Sequence, residues 1–418
     1  MEPLSRRDLL KQTLAASGAM LLAANQLRAQ EGGEGTNSLH PKEEGRMIPS
    51  TGPHDPRMDA LTMDAVEPPT TDKGNVDPFW YSFSLSHKKV SEAGWARQVT
   101  IKDLAIAKDL AGVDMRLKPY GCRELHWHES GEWAYMTSGK ARVTCIDYDG
   151  RGFVDDIEEG DLWFFPSGVP HSIQAHPDND GCEFLLVFAD GKFSEYETFL
   201  ISEWVARTPK DIIAKSLNVP VSALKDLPKE EQFIFYAAPF GDLEAERRQV
   251  AETVGYSKRS FTYHLRGVKP DKENKSGSVI LVDSGKFKVS TEVASAIVTL
   301  KPGGVREMHW HPNADEWNYW VKGQGRLHCF AASNRSRTLD FRAGDVGYVP
   351  SNQGHYIENT GNEDLVFIEC FKSDYYGDMA LAQWVAHTPK ALVMSHLHID
   401  GATYDAITRE KNVTVPLS

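Results

Sequence analysis

The sequence predicts an all-β dominated protein, with two antiparallel barrels or sandwiches in tandem and short helices flanking them. Three observations carry that expectation. Short β-branched or aromatic runs recur between Gly, Asp and Pro turns, at 142–148, 162–165, 184–188 and 366–371. The chain repeats itself at a spacing of about 180 residues, too long for a solenoid unit and suited to a duplicated domain. Each copy carries His-Trp-His, then an acid, then a third histidine well downstream: His126-Trp127-His128, Glu132 and His171, and again His309-Trp310-His311, Glu316 and His355.

The chain opens on Ser5-Arg6-Arg7-Asp8-Leu9-Leu10-Lys11, followed by a small apolar run from Thr13 to Ala24 and Ala29 as a cleavage candidate. A twin arginine before a weak hydrophobic stretch reads as a twin-arginine export signal over residues 1–30, which places the mature protein in the periplasm or outside the cell. The run is too short and too rich in Ala and Gly for a membrane span. Residues 31–75, with scattered Gly, Pro, Glu and Asp, read as a flexible N-terminal segment. The two barrel domains are expected over 76–240 and 241–418.

The flanks of the two motifs align. Asp114-Met-Arg-Leu-Lys-Pro matches Ile297-Val-Thr-Leu-Lys-Pro, and Glu159-Gly-Asp-Leu-Trp-Phe-Phe-Pro-Ser matches Ala343-Gly-Asp-Val-Gly-Tyr-Val-Pro-Ser. Trp204-Val-Ala-Arg-Thr-Pro-Lys matches Trp384-Val-Ala-His-Thr-Pro-Lys. Helical patterns follow each barrel, at 199–206 with 209–215 and at 379–385 with 389–395; 244–254 reads as a linking helix.

At 418 residues there is ample chain for two cores, and a hydrophobic fraction of 41% is that of an ordinary globular protein. A formal net charge of −13 argues against nucleic acid and anionic membranes as partners. Five cysteines without a CxxC spacing read as free, buried thiols.

Residues two apart on a strand share a face, so His126 and His128 point one way, as do His309 and His311. A turn separates them from the acid that opens the next strand, and that turn is one residue longer in the second copy. Three imidazoles and one carboxylate leave two open positions on an octahedral ion. That set suits manganese or iron in redox or Lewis-acid work better than structural zinc.

These residues resemble the cupin family, here as a tandem bicupin. Arg123-Glu-Leu-His-Trp-His, Glu132-Trp-Ala-Tyr-Met, Pro170-His-Ser-Ile-Gln-Ala and Phe184-Leu-Leu-Val-Phe are similar to the bacterial oxalate decarboxylases. The resemblance runs from about Trp95 to about Asp400. It implies two jelly-roll barrels and two manganese ions per chain, with iron the alternative. It also implies oxalate as substrate, dioxygen as co-catalyst, and assembly as a trimer or hexamer.

The resemblance also directs Arg123 and Arg306 toward the metals, although each lies three positions before a ligand histidine. Strict alternation would turn it away, and a twist or bulge at Gly121 or Gly303-Gly304 is the expected remedy. A guanidinium is a natural clamp for a carboxylate substrate. Glu369, inside the apolar run 365–371, needs a partner, and Arg306 is the candidate. In copy one the acid is on a loop, Ser194-Glu195-Tyr196-Glu197-Thr198, which reads as a lid with Glu195 as proton carrier. Ser194 and Glu195 match the family lid; Tyr196 and Glu197 depart from it. The same residues also suit a helix N-terminus. The corresponding loop of copy two, Ser373-Asp-Tyr-Tyr-Gly-Asp, has no matching Glu, and Tyr375 or Tyr376 is the candidate there.

Oxalate decarboxylation to formate and carbon dioxide is therefore the expected activity. Oxalate oxidase, a dioxygenase with a larger apolar pocket, and a non-catalytic binding or storage bicupin are the alternatives.

Overall fold

A computed structural model of the chain describes residues 52–59, 69, 71–73 and 76–416. The expected export signal and most of the expected flexible segment lie outside these residues. The first half is one antiparallel network. It contains Ala111–Leu117, Gly121–Trp127, Glu132–Ile146, Gly152–Glu158, Leu162–Phe165, His171–Ala175 and Cys182–Phe188. The second half repeats it as a seven-stranded and a six-stranded sheet. The strand expected from about 142 begins ten residues earlier, at Glu132. Its counterpart is divided into Glu316–Lys322 and Gln324–Ala331. Gly139 and Gly323 stand at the same place in the two copies, with φ of 79° and 82°, and let the chain bend from one sheet into the other.

Both halves close on a common core. Buried Val113, Met115, Trp133 and Phe164 of the first half belong to one cluster with Trp317, Val346, Tyr348 and Ile368 of the second. The Trp317 indole lies so close to Gly112 that a Cβ there would be 2.3 Å from Trp317 Cζ2. The halves also exchange strands. Trp80–Ser82, which precedes the first barrel, pairs with Asp345–Val349 of the second. Thr262–Tyr263, which precedes the second barrel, pairs with Leu162–Phe165 of the first. The repeat is linear in sequence and interlocked in space.

The helices Ile201–Ala206, Lys210–Leu217, Leu243–Val254, Leu381–Ala386 and Lys390–Leu397 lie where apolar periodicity places them. Two short stretches differ from the expectation. Phe199–Leu200 and Met379–Ala380 are extended and pair with the strands carrying the His-Trp-His motifs, Leu200 opposite His126 and Ala380 opposite His309. Pairing with an open strand edge satisfies their backbone groups there, so helix begins only afterwards. All five cysteines are buried and free. Among the described residues no helix is long and apolar enough to cross a membrane.

The segment leading into the second barrel is pinned to the first by an ion cluster. His264 Nδ1 lies 2.8 Å from Asp161 Oδ2, and its Nε2 lies 3.1 Å from Asp155 Oδ2. Those hydrogen bonds, to Asp155 first and then Asp161, raise the His264 pKa to about 10. A group raised above its unfolded value contributes its full stabilisation below about pH 6.5 and loses it as pH climbs through about 10. The denaturation midpoint of the native sequence should therefore fall across that window. His264→Gln should lose that part of the slope, and identical slopes for the two proteins would exclude this role for His264.

Candidate metal centres

His126 lies on the strand Gly121–Trp127, and His128 follows immediately after it. Glu132 opens Glu132–Ile146 and His171 opens His171–Ala175. His126 and His171 are register partners. The four ligand atoms lie within 4.8 Å of one another, and all four residues are buried. His309, His311, Glu316 and His355 form the same cluster in the second half, also within 4.8 Å and buried. The intervening Trp127 points outward and stacks on Phe199 at 5.4 Å.

The sequence places each arginine out of phase with its histidines, and the backbone corrects this. Pairing of Gly121–Trp127 with His171–Ala175 shifts register between Arg123 and His126, and its counterpart shifts between Arg306 and His309. The irregularity therefore falls after the arginine, not at the preceding glycines. It turns Leu125 and Met308 out to solvent and brings arginine and histidine to the interior together.

Both clusters fit a cation. Every ligand histidine has Nδ1 within 3.0 Å of a backbone carbonyl: Glu124, Ser130 and Val169 in the first half, and Glu307, Gly377 and Gln353 in the second. A carbonyl only accepts, so Nδ1 carries the proton and Nε2 presents its lone pair. His171, His309 and His311 have no hydrogen-bond partner at that Nε2. Glu132 Oε2 stands 3.3 Å from His128 Nε2, and Glu316 Oε2 stands 3.0 Å from His355 Nε2. Buried lone pairs converging in this way repel unless a positive charge lies between them. Burial, with Arg123 and Arg306 beside them, keeps His126 and His309 neutral.

The outer carboxylate oxygens are fixed by compensating residues. Glu132 Oε1 accepts from Trp163 Nε1 at 2.8 Å. In the second half the residue equivalent to Trp163 is Gly347, and Asn318 Nδ2 donates to Glu316 Oε1 at 2.8 Å instead. A Cβ at Gly347 would lie 2.3 Å from Asn318 Oδ1, so the small residue makes room for the amide. The Leu162-Trp163 and Val346-Gly347 mismatch in the repeat was its sequence trace.

The two arginines are held differently. Arg123 Nε donates to Glu195 Oε1 at 2.7 Å, and Nη2 donates to Thr198 Oγ1 at 2.7 Å. The expected lid loop therefore lies over the first cluster with Glu195 only 1% exposed. Its backbone N–H donates to Gln98 Oε1, while its Oε2 has no partner. Burial raises the Glu195 pKa against the pull of Arg123. Ser194 makes no capping bond, so helix capping does not account for it.

Arg306 has a larger set of charged and polar partners. Its Nη2 donates to Tyr376 Oη at 2.6 Å and to Asp378 Oδ2 at 3.0 Å, and its Nε stands 3.4 Å from Glu369 Oε1. Asp378 and its second partner, Lys411, were not singled out from sequence, because nothing local ties residue 411 to residue 378. Against the rise that burial imposes, Arg306 and Lys411 keep Asp378 ionised. Burial pushes Glu369 up to about 8 against the pull of Arg306.

The cupin family profile matches residues 83–223 and 263–405. Oxalate decarboxylase OxdC of Bacillus subtilis is 47% identical over 363 residues, 87% of this chain and 93% of its own. An oxalate decarboxylase of Arthroderma benhamiae is 33% identical over 400 residues, 90% of this chain and 93% of its own. A solved structure of the Bacillus subtilis oxalate decarboxylase, described for its Mn(II) centres, superposes with a TM-score of 0.86. It has 44% identity and covers 91% of this chain and 99% of its own.

Removing one partner of a buried ion pair leaves the others unpaired. Arg306→Ala should lower stability by about 3–5 kcal/mol, read as a fall in the chemical denaturation midpoint. A loss within measurement error would show that Arg306 does not hold Asp378 and Tyr376 in place.

Proposed function

The chain belongs to the cupin family, in the branch of the oxalate decarboxylases, and on that premise we propose that it cleaves oxalate to formate and carbon dioxide with manganese at its metal centres. It is an enzyme, a carbon–carbon lyase. The observation that carries the reading of the first site is a buried acid and a buried arginine, 2.7 Å apart, over a cluster of three imidazoles and a carboxylate.

The reaction is redox-neutral overall. The bond between the two carboxyl carbons breaks, carbon dioxide leaves, and a proton takes its place on the remaining carbon. Manganese, when bound, would supply open coordination positions and reversible one-electron chemistry, with dioxygen as co-catalyst. The rest falls to side chains. Arg123 offsets the charge of a dianion in a protein whose net charge is −13, and polarises the carboxyl group remote from the ion. Glu195 takes up a proton as charge leaves the substrate and returns it to the formate carbon. The lid keeps bulk water from competing for that carbon. A raised pKa suits the exchange, because the acid must both hold and release the proton.

At the second cluster Arg306 bonds to both Tyr376 and Asp378, and Glu369 is fixed on an inner strand. The acid beside Arg123 keeps one oxygen without a partner, whereas Asp378 is bound by both Arg306 and Lys411. That difference favours the first site for decarboxylation. Arg306 and Glu369 would serve mainly to hold the second ion's surroundings.

Matching outward apolar residues on the two halves, Phe199 and Trp204 on one and Met379 and Trp384 on the other, support a homo-oligomer, as a trimer or hexamer. The twin-arginine leader supports export to the periplasm or beyond.

Oxalate oxidase needs the same ion and arginine but no acid for carbon, so Glu195 separates the two readings. Glu195→Ala should cut formate production by roughly 100-fold or more while oxalate-dependent peroxide persists or rises. Formate yield that survives the substitution would remove Glu195 from the mechanism.

A further inference from the structure

The loops that deliver the ligands to each centre are tied together by one carboxylate, and the two halves obtain it from different places. In the second half it is Asp315, the extra residue of the longer ligand turn. Its Oδ1 accepts from Ser351 N at 2.7 Å, and its Oδ2 accepts from Tyr348 Oη at 2.6 Å. Asp315 thereby joins the turn between His311 and Glu316 to the turn that precedes His355. The first half has no such residue, since its turn is the shorter one, Glu129-Ser130-Gly131.

The missing carboxylate comes from the other barrel. Glu292, two residues before the strand Ala294–Leu300 of the second half, reaches across. Its Oε2 accepts from Gly131 N at 3.0 Å, and its Oε1 accepts from Ser167 N at 3.4 Å. Ser167 and Ser351 occupy the same place in the aligned Pro-Ser turns. Gly131 must be glycine for this approach, because a Cβ there would sit 2.7 Å from Glu292 Oε1 and equally close to Phe164 Cζ. Among the described residues the joined loops are otherwise hydrogen-bonded to each other through Gly168 N to His128 O at 2.9 Å and Ser167 Oγ to Glu129 O. Three of the four ligands of the first centre, His128, Glu132 and His171, flank the segments that Glu292 holds.

We infer that Glu292 is a positioning residue for the first metal centre. That centre is completed by the second barrel, whereas the second centre is clamped from within its own half by Asp315. Retention of the first ion is thus coupled to docking of the two halves. This rests on the metal reading above, but not on oxalate being the substrate.

Manganese release into excess chelator tests it in full-length chains that each retain one centre. In the His309→Ala background, which leaves the first centre, Glu292→Ala should speed release by roughly 10-fold or more, as loss of supporting shell contacts does. Glu292→Gln, which keeps one acceptor oxygen, should fall between. In the His126→Ala background, which leaves the second centre, Glu292→Ala should leave release unchanged and Asp315→Ala should speed it. Unchanged release from the first centre in both Glu292 variants, or equal acceleration at both centres, overturns the inference. Failure of either single-centre chain to bind manganese at all would overturn the metal reading with it.

Discussion

Everything in this molecule is arranged around two points at which imidazole lone pairs and a carboxylate oxygen converge out of reach of water. Such a convergence is unfavourable without a cation, and the protein forces it twice. Carbonyl oxygens fix each histidine by its Nδ1, Trp163 and Asn318 fix the glutamates by their outer oxygens, and the strand register sets His126 against His171 and His309 against His355. The barrels supply the rigid walls that such geometry demands. This constraint by itself calls for a metal ion, and the likeness to Bacillus subtilis oxalate decarboxylase points to oxalate as the substrate.

The repeat is close enough to make its departures informative. Both halves place an arginine beside the cluster by the same backbone irregularity. In the first, the arginine bonds to Glu195 and Thr198 on the loop that follows Cys182–Phe188. In the second, it bonds to Asp378 and Tyr376 beside a glutamate built into a strand, and Lys411 near the C-terminus secures Asp378. The two halves thus carry equivalent metal clusters in different surroundings, with Glu195 and Thr198 beside one arginine and Tyr376, Asp378 and Glu369 beside the other.

Much of this was legible in the sequence because its determinants are local. The His-Trp-His spacing puts both histidines on one face of a strand, the Gly-Asp and Pro-Ser turns mark strand ends, and the repeat supplies the fold twice. What was not legible depends on contacts between distant segments. No local pattern announces that Trp80–Ser82 pairs with the far barrel, that Lys411 meets Asp378, or that Glu292 crosses to Gly131. The position of the bulge, after the arginine and not at the glycine before it, is likewise set by pairing with the histidine strand. Residues 199–200 and 379–380 carry a helical pattern and yet are extended, because a free strand edge lies beside them.

The most direct test of the central claim is anomalous diffraction at the manganese edge from crystals of protein produced with that metal. The account predicts two peaks per chain, one among His126, His128, Glu132 and His171 and one among His309, His311, Glu316 and His355. An occupied crystal with no peak at either cluster, or with its manganese bound elsewhere, would contradict it.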